Sequence, residues 1–462
     1  MQLSRLIGPE LEQILRENPS EVRELLDEIH PADFADIVRE LDDQRAGALL
    51  VELPPDFAAQ VFEHLEEPQQ ETLAEEMGLE HTARLTSHMD ADDRADFFSV
   101  LPPAIGAPLL ETLEKVDPEA AEEVEELSRW PDTSAGGLMT TELVSVRPGL
   151  TIGQAIAEVR RRAHEVDAVD RVFVVADGGH LEGTLELLEL LRAGETVPVS
   201  DVMQRNVISV PPELDQEEVA DVLAKYDLVT LPVVDQRGTL LGVITSDDIL
   251  DVVREEHEED VQRMGAVQPI DEGYFAASLG VYVRKRAPWL LVLFVGGFFT
   301  TTAMRRFDGA LAAVASLSFY LPLLISAGGN SGSQSSTLVI RALATGDIEA
   351  RDWHRVLLRE LAQGLILGSM LAALGATRVL ASGDGLELAL VVAATLVCIV
   401  VMGCVVGGMM PLALSRLGLD PATSSTPFIA TLVDVLGIVI YLGLATLLLE
   451  AVARAHPVVG VP

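Results

Sequence analysis

The sequence predicts a multidomain protein: an α-helical, superhelical N-terminal domain, a tandem pair of α+β units, a connecting helix and an all-α membrane domain of five spans. Three observations predict it. The formal net charge of −40 lies entirely in residues 1–270, which hold 60 of the 72 Asp and Glu but only 20 of the 32 Lys and Arg. Beyond Arg284 the chain is nearly neutral and strongly apolar, with stretches free of Asp, Glu, Lys, Arg and His at 287–304, 309–340, 361–377 and 388–415. Between Met139 and Leu250 one pattern of β-branched runs and helices occurs twice, 64 residues apart. An acidic soluble region followed by a membrane region therefore divides as 1–130, 131–200, 201–253, 254–283 and 284–462.

The first division reads as helical because apolar residues recur at three- and four-residue spacing in LEQILREN, DFADIVREL, DFAAQVFEHL and DRADFFSVL, with Pro-bearing turns between them. Asp33-Phe34-Ala35 and Asp56-Phe57-Ala58 open similar units, which predicts helical hairpins stacked into a small superhelix. The opening MQLSRLIGPELEQILRENP mixes charges through its apolar positions, unlike a signal peptide.

In the middle of the chain LMTTELVSVRPGLTIGQAIAEV is echoed by VMQRNVISVPPELDQEEVADVL, and VFVVADGGHLEGTLELLELL by LPVVDQRGTLLGVITSDDIL. Each copy reads strand, helix, paired strands and helix, a module that buries its apolar sheet face against a twin. The tandem resembles a pair of CBS domains, regulatory modules that bind small effectors and do not catalyse. Gly242, Thr245 and Asp248 match the G-x-x-T-x-x-D pattern by which many such modules hold a nucleotide ribose, so Thr245 and Asp248 are the candidate nucleotide-binding residues. The first copy departs from the pattern with Glu186 and Glu189, and Asp248 suits a cation or a helix cap as well. Residues 249–268 follow as a highly charged connecting helix.

The acidic excess repels nucleic acid and attracts cations, and clustered carboxylates are the ligands hard divalent ions prefer. Solubility at high salt would also explain it, as it would 29 Arg against 3 Lys. Cys398 and Cys404 share one apolar segment, so no disulfide framework exists. There is no HExxH, the nine His are scattered, and no nucleophile is paired with a base, which argues against an enzyme.

The fifth apolar run, 421–449, contains one ionisable residue, Asp434. A carboxylate near the middle of a span costs a few kcal/mol, so it faces a wet or protein-lined path. No span carries a central Lys or Arg to pair with it, and no second intramembrane Asp completes a protease dyad. Mg²⁺ sheds water reluctantly and is held through its hydration shell by one or two carboxylates with neutral oxygens, which suits a lone Asp. Thr426 and Thr431 are candidate neighbours, while Pro427 and Gly437 are expected to free carbonyls along the same span. GGNSGSQSST at 328–337 lacks the Lys of a P-loop and is expected to form a re-entrant bend lining a cavity. With the N-terminus inside, eight Lys and Arg flank the inner ends of the spans and four the outer ends, which orients the acidic region to the cytoplasm.

Taken together, the order of helical domain, CBS pair, charged helix and five spans resembles the MgtE family of bacterial Mg²⁺ channels. The resemblance covers essentially the whole chain and is carried by DTSAGGLMT at 132–140, GGNSGSQSSTLVIRALAT at 328–345 and TPFIATLVDVLGIVIY at 426–441. It implies a homodimer in the lipid of the cell inner membrane, importing Mg²⁺ and gated by cytosolic Mg²⁺, with no nucleic-acid partner. Asp434 matches the pore carboxylate. The implied sensor ligands are Asp92 and Asp96, then Glu217, Asp227, Asp248 and Asp251, then Glu256, Glu259 and Asp260 on the connecting or plug helix, and Asp420. Thr426 stands where relatives carry Asn or Gly, and Leu228 replaces an aromatic near the nucleotide, which with Glu189 weighs against ATP as a ligand. Readings of other classes are a CBS-regulated transporter of Co²⁺ or Mn²⁺ and a membrane sensor that does not conduct.

Overall fold

The structure is a computed structural model of the chain. It describes residues 26, 29–162, 166, 170–270, 273–275, 277–308 and 316–455, the side chains of 448–455 excepted. The expected LEQILREN helix and the expected start of the second span at 309–315 lie outside the described residues. The chain forms two compact units, Met1–Glu255 and Glu256–Pro462.

The first unit opens with α1 (Pro31–Arg39), α2 (Asp43–Glu52), α3 (Pro55–Glu63), α4 (Glu67–Met77), α5 (Leu79–Thr86), α6 (Ala91–Val100), α7 (Pro103–Val116) and α8 (Pro118–Leu127). Their starts are set locally. Proline occupies the first turn of α1, α3, α7 and α8, while the Asp42 and Asp117 carboxylates accept backbone N–H groups at the starts of α2 and α8. Packing pairs α1 with α3, α2 with α4, α3 with α5, α4 with α6 and α5 with α7, the order of a superhelical stack. The two Asp-Phe-Ala units bring Phe34 and Phe57 edge to face at 5.4 Å, and Phe62 meets Phe97 in the same way at 5.2 Å. Such pairs add about 1 kcal/mol to the burial of their area.

Next come β1 (Ser145–Val146), α9 (Ile152–Arg162), β2 (Arg171–Val175), β3 (Leu181–Glu186) and α10 (Leu187–Arg192). The second copy has α11 (Val199–Val202), α12 (Gln216–Tyr226), β4 (Thr230–Val234), β5 (Leu240–Thr245) and α13 (Ser246–Met264). Strand β1 is parallel to β2, which is antiparallel to β3; β4 and β5 are antiparallel, and the leading strand of the second copy is reduced to a bridge from Val210 to Val233. The copies exchange their leading segments: Thr140 pairs with Val243 of the second copy, and Gln204 with Thr184 of the first. Gly242 and Gly183 stand at the crossings, where a Cβ would come within 2.6 Å of the Thr140 carbonyl and 2.9 Å of the Gln204 carbonyl. The glycine of the nucleotide pattern is therefore required by strand exchange, which is why both copies have it.

The second unit holds the end of α13 followed by α14 (Leu279–Arg306), α15 (Ser316–Ala344), α16 (Trp353–Ala381), α17 (Leu386–Arg416) and α18 (Thr426–Ala455). Among the described residues four helices, α14, α16, α17 and α18, are long and apolar enough to cross a membrane. Helix α15 is 29 residues long, and its Gly, Ser, Asn and Gln dilute its apolarity. The expected re-entrant bend is absent: GGNSGSQSST lies within the unbroken α15. Helix packing explains it. Helix α17 lies against α15, α16 and α18. A Cβ on Gly403 would come within 2.6 Å of the Gly328 carbonyl, and Gly407 meets Gly332 backbone to backbone. On α16 the same role falls to Gly364 and Gly368, where a Cβ would lie 2.8 and 2.9 Å from the Cα atoms of Val401 and Val397. Lipid offers no hydrophobic drive for helices to associate, so small residues that permit close contact take its place. Pro427 falls in the first turn of α18, and the helix continues through Gly437, so neither residue breaks the span as expected from the sequence.

Replacing Gly407 by Val should lower the thermal stability of the detergent-solubilised protein by about 1–3 kcal/mol, because the added side chain meets a backbone that cannot yield. Gly443, with nothing within 4 Å of its Cβ position, should accept Ala with a change within about 0.5 kcal/mol. Equal melting of the two variants would show that the close approach is not needed.

Candidate ion pathway and acidic clusters

Helix α18 carries Asp434 two turns from its start, half-buried in the membrane unit. Facing it is Gly329 of α15, whose Cβ position lies 3.8 Å from Asp434 Oδ1, so the missing side chain leaves room beside the carboxylate. Among the described residues the carboxylate has neither an ion-pair partner nor a hydrogen bond. Thr431 Oγ1 donates to the Pro427 carbonyl at 2.9 Å, so it is occupied by its own helix. The Thr426 carbonyl accepts from Ser333 Oγ at 3.5 Å, tying the start of α18 to α15. A carboxylate without a partner among the described residues, with a glycine facing it, can take a cation that keeps part of its water.

In the first unit the start of α6 and the start of α13 bring carboxylates together. A cavity of about 520 Å³ is lined by Asp92, Asp93, Asp248, Asp251, His64 and Thr245, among others. Burial, then the Asp248, Asp93 and Asp90 charges, hold Asp92 well above the usual carboxylate range. Crowding by surrounding protein, then the Glu63, Asp90 and Asp248 charges, push Asp93 up to about 8. Asp96 is pushed up to about 7 by the same crowding and by Asp132, Asp248, Glu67 and Glu255. Both side chains keep exposed surface, so water screens part of this repulsion. Asp248 is also raised, first by burial, against the pull of a hydrogen bond donated by Thr245 Oγ1. The two candidate nucleotide residues are thus bonded to each other. His64 is held below its usual range by burial and then by His30 and Arg39.

A second cluster lies in the second unit, where Glu256, Glu259 and Asp260 near the end of α13 approach Asp420. Arg263 pairs with both Glu259 and Asp420, a cation already seated between two of the carboxylates. Asp420 also accepts from Ala422 N at 2.7 Å, capping the turn before α18. Burial, then the Asp420 and Glu256 charges, raise Asp260. Glu217 is exposed in the first turn of α12, and Asp227 ends that helix with a left-handed φ of 51°. Neither lines the cavity that holds Asp92 and Asp248.

Three acids escaped the sequence reading. Glu63, Asp90 and Asp93 each offer a ligand oxygen, all within 4.8 Å of one another. The run Asp90-Ala91-Asp92-Asp93 at a helix start was the signal for two of them, because a first turn gathers carboxylates at the positive end of the helix. Arg263 also escaped, although its spacing from Glu259 is that of a helical ion pair.

Known proteins match over both units. A family described as divalent cation transporter covers residues 321–444, the MgtE intracellular N domain covers 29–133, and CBS domains cover 135–195 and 199–255. The magnesium transporter MgtE of Thermus thermophilus is 40% identical over 443 residues, 96% of this chain and 98% of its own. That of Bacillus subtilis is 30% identical over 425 residues, 92% of this chain and 93% of its own. Among solved structures, the soluble part of a magnesium transporter is 30% identical with a TM-score of 0.51, covering 55% of this chain and 99% of that one. The cytosolic domain of the Mg²⁺ channel MgtE in complex with ATP is 35% identical with a TM-score of 0.50, covering 53% of this chain and 99% of that one. The N-domain, CBS and transporter models follow one another along the chain, both transporters match it along nearly their full length, and the chain belongs to the MgtE family, transporters and not enzymes.

Proposed function

We propose that the protein is a homodimeric Mg²⁺ channel of the inner membrane that imports the ion and is gated by cytosolic Mg²⁺. The observation that carries the pathway is Asp434, a carboxylate without a partner among the described residues, set beside the Cβ-free face of Gly329. Hydrated Mg²⁺ is the cation such a site suits, since one carboxylate per subunit and neutral oxygens can hold it through its water. Residues 1–130, the CBS pair at 131–200 and 201–253, and the connecting helix at 254–283 then form the cytosolic regulator of a channel at 284–462. Regulation follows from the charges. Asp92, Asp96, Asp248 and Asp251 in one unit, and Glu256, Glu259, Asp260 and Asp420 in the other, repel until divalent ions bridge them. Glu217 and Asp227 complete the implied ligand set as exposed carboxylates of the second CBS copy. For ATP, which a related cytosolic domain binds, Thr245 and Asp248 are the residues this chain offers.

Asp434→Ala should lower Mg²⁺ uptake into liposomes, and growth rescue of a Mg²⁺-requiring strain, by at least about tenfold. Equal rescue by wild type and variant would sink the pathway. Limited proteolysis of residues 1–270 should slow as Mg²⁺ rises through the millimolar range of weak carboxylate sites; cleavage indifferent to Mg²⁺ would make the acidic surface a solubility device. The raised carboxyls also fix a pH dependence. Their folded-state values lie above the unfolded ones, so they stabilise the fold below about pH 4 and that contribution is lost as pH rises through about 7 to 8. His64, with a lowered value, works in the opposite sense, one group against Asp92, Asp93, Asp96 and Asp248. In chelator, the soluble unit of the full chain should melt lower at about pH 8 than at about pH 5.5, and Mg²⁺ should raise melting more at the higher pH. Equal gains at both pH values would refute the coupling.

A further inference from the structure

Glu360 is a carboxyl group inside the membrane unit that the Asp434 pathway leaves unexplained. It lies two turns into α16 and is 4% exposed. Its Oε2 accepts a hydrogen bond of 2.6 Å from Ser335 Oγ on α15, and Ser335 is itself 5% exposed. Its stem rests on α17, where a Cβ on Gly408 would come within 2.7 Å of Glu360 Cγ. The preceding residue, Gly407, is the one that meets Gly332 of α15. Three helices therefore converge at consecutive glycines, one admitting a backbone and the next a carboxyl side chain. Packing alone would be served better by an apolar residue, and a carboxyl group this completely buried is unfavourable unless its partners serve a purpose.

Helix α15 connects this point to the pathway. Ser333 and Ser336 donate to the Thr426 and Ser424 carbonyls, at 3.5 and 3.4 Å, at the start of α18. Gly329, beside Asp434, lies six residues before Ser335, about 9 Å along the helix axis. A slide or rotation of α15 would move Gly329 relative to Asp434, and the bond from Ser335 to Glu360 opposes such movement from the α16 side. We propose that Glu360 is a positioning residue of the ion pathway, fixing the register of α15 through Ser335 so that Gly329 stays opposite Asp434 and sets the width open to a hydrated ion. The proposal rests on the Asp434 pathway argued above.

The test measures Mg²⁺ and Ca²⁺ flux into liposomes for the full chain carrying Glu360→Ala, Glu360→Gln, Ser335→Ala, the double variant Glu360→Ala with Ser335→Ala, and Asp434→Ala. Glu360→Ala should cut Mg²⁺ flux about tenfold and lower the Mg²⁺ to Ca²⁺ flux ratio, a readout that weakened folding alone would leave unchanged. Glu360→Gln keeps an oxygen that accepts from Ser335 and should recover flux to within about threefold of wild type with its ratio intact. Ser335→Ala should shift the ratio in the same direction as Glu360→Ala, and the double variant should be no worse than Glu360→Ala. A wild-type rate and ratio in Glu360→Ala, or Glu360→Gln as impaired as Glu360→Ala, would overturn the proposal. If Glu360→Ala fails to fold, Ser335→Ala decides, and a wild-type ratio there overturns it. Flux surviving Asp434→Ala would instead bring down the pathway itself, whereas flux lost in Asp434→Ala but unchanged in Glu360→Ala removes only the role of Glu360.

Discussion

The membrane unit depends on the backbone contact between α15 and α17. Gly328 and Gly332 on one helix, and Gly403 and Gly407 on the other, bring the two within a distance that any side chain would prevent. Everything nearby is a consequence of that closeness. It leaves Gly329 opposite Asp434, lets Ser333 and Ser336 reach the start of α18, and opens the slot at Gly408 for Glu360. In lipid such contacts carry association that hydrophobic burial would carry in water, so the pathway proposed at Asp434 borders on the same residues that make the packing.

The soluble unit runs on an opposite constraint. Its helices are stacked on apolar and aromatic seams, while the face made by α6 and the start of α13 gathers carboxylates that raise one another. Such a face is stable in one arrangement only when protons or cations reduce its charge. In the second unit Arg263 already plays that part between Glu259 and Asp420. A divalent ion reaching these carboxylates meets a bound guanidinium there and open repulsion in the first unit, so the two clusters are unequal in the charge they have left to neutralise.

Much of this was legible in the sequence. The charge partition, the internal repeat at 64 residues and the uncharged runs gave the order of parts, because each is a period or composition that survives without contacts. Asp434 was legible because an ionisable residue is conspicuous in an apolar run. What failed was the reading of polarity as interruption. GGNSGSQSST looked like a bend, yet in a membrane small and polar residues are what a tightly packed helix uses, and only the facing glycines of α17 make that visible. Pro427 misled for a related reason: a proline in a first turn frees no carbonyl, and the sequence did not locate the helix start. Asp90 and Asp93 share the start of α6, but Glu63 reaches them from the end of α3, a juxtaposition no spacing announces.

The exchange of leading segments between the CBS copies has a consequence during synthesis. The backbone around Thr140 leaves the ribosome roughly a hundred residues before Val243, its partner across the sheet. At ordinary translation rates that is a delay of about 5–20 s. Through that interval the first copy has an edge with no ladder to join, and the nascent helical stack beside it is the structure available to shelter it. The repeat that looks like two independent modules is, in the order of its making, a single one that closes only when its last strand arrives.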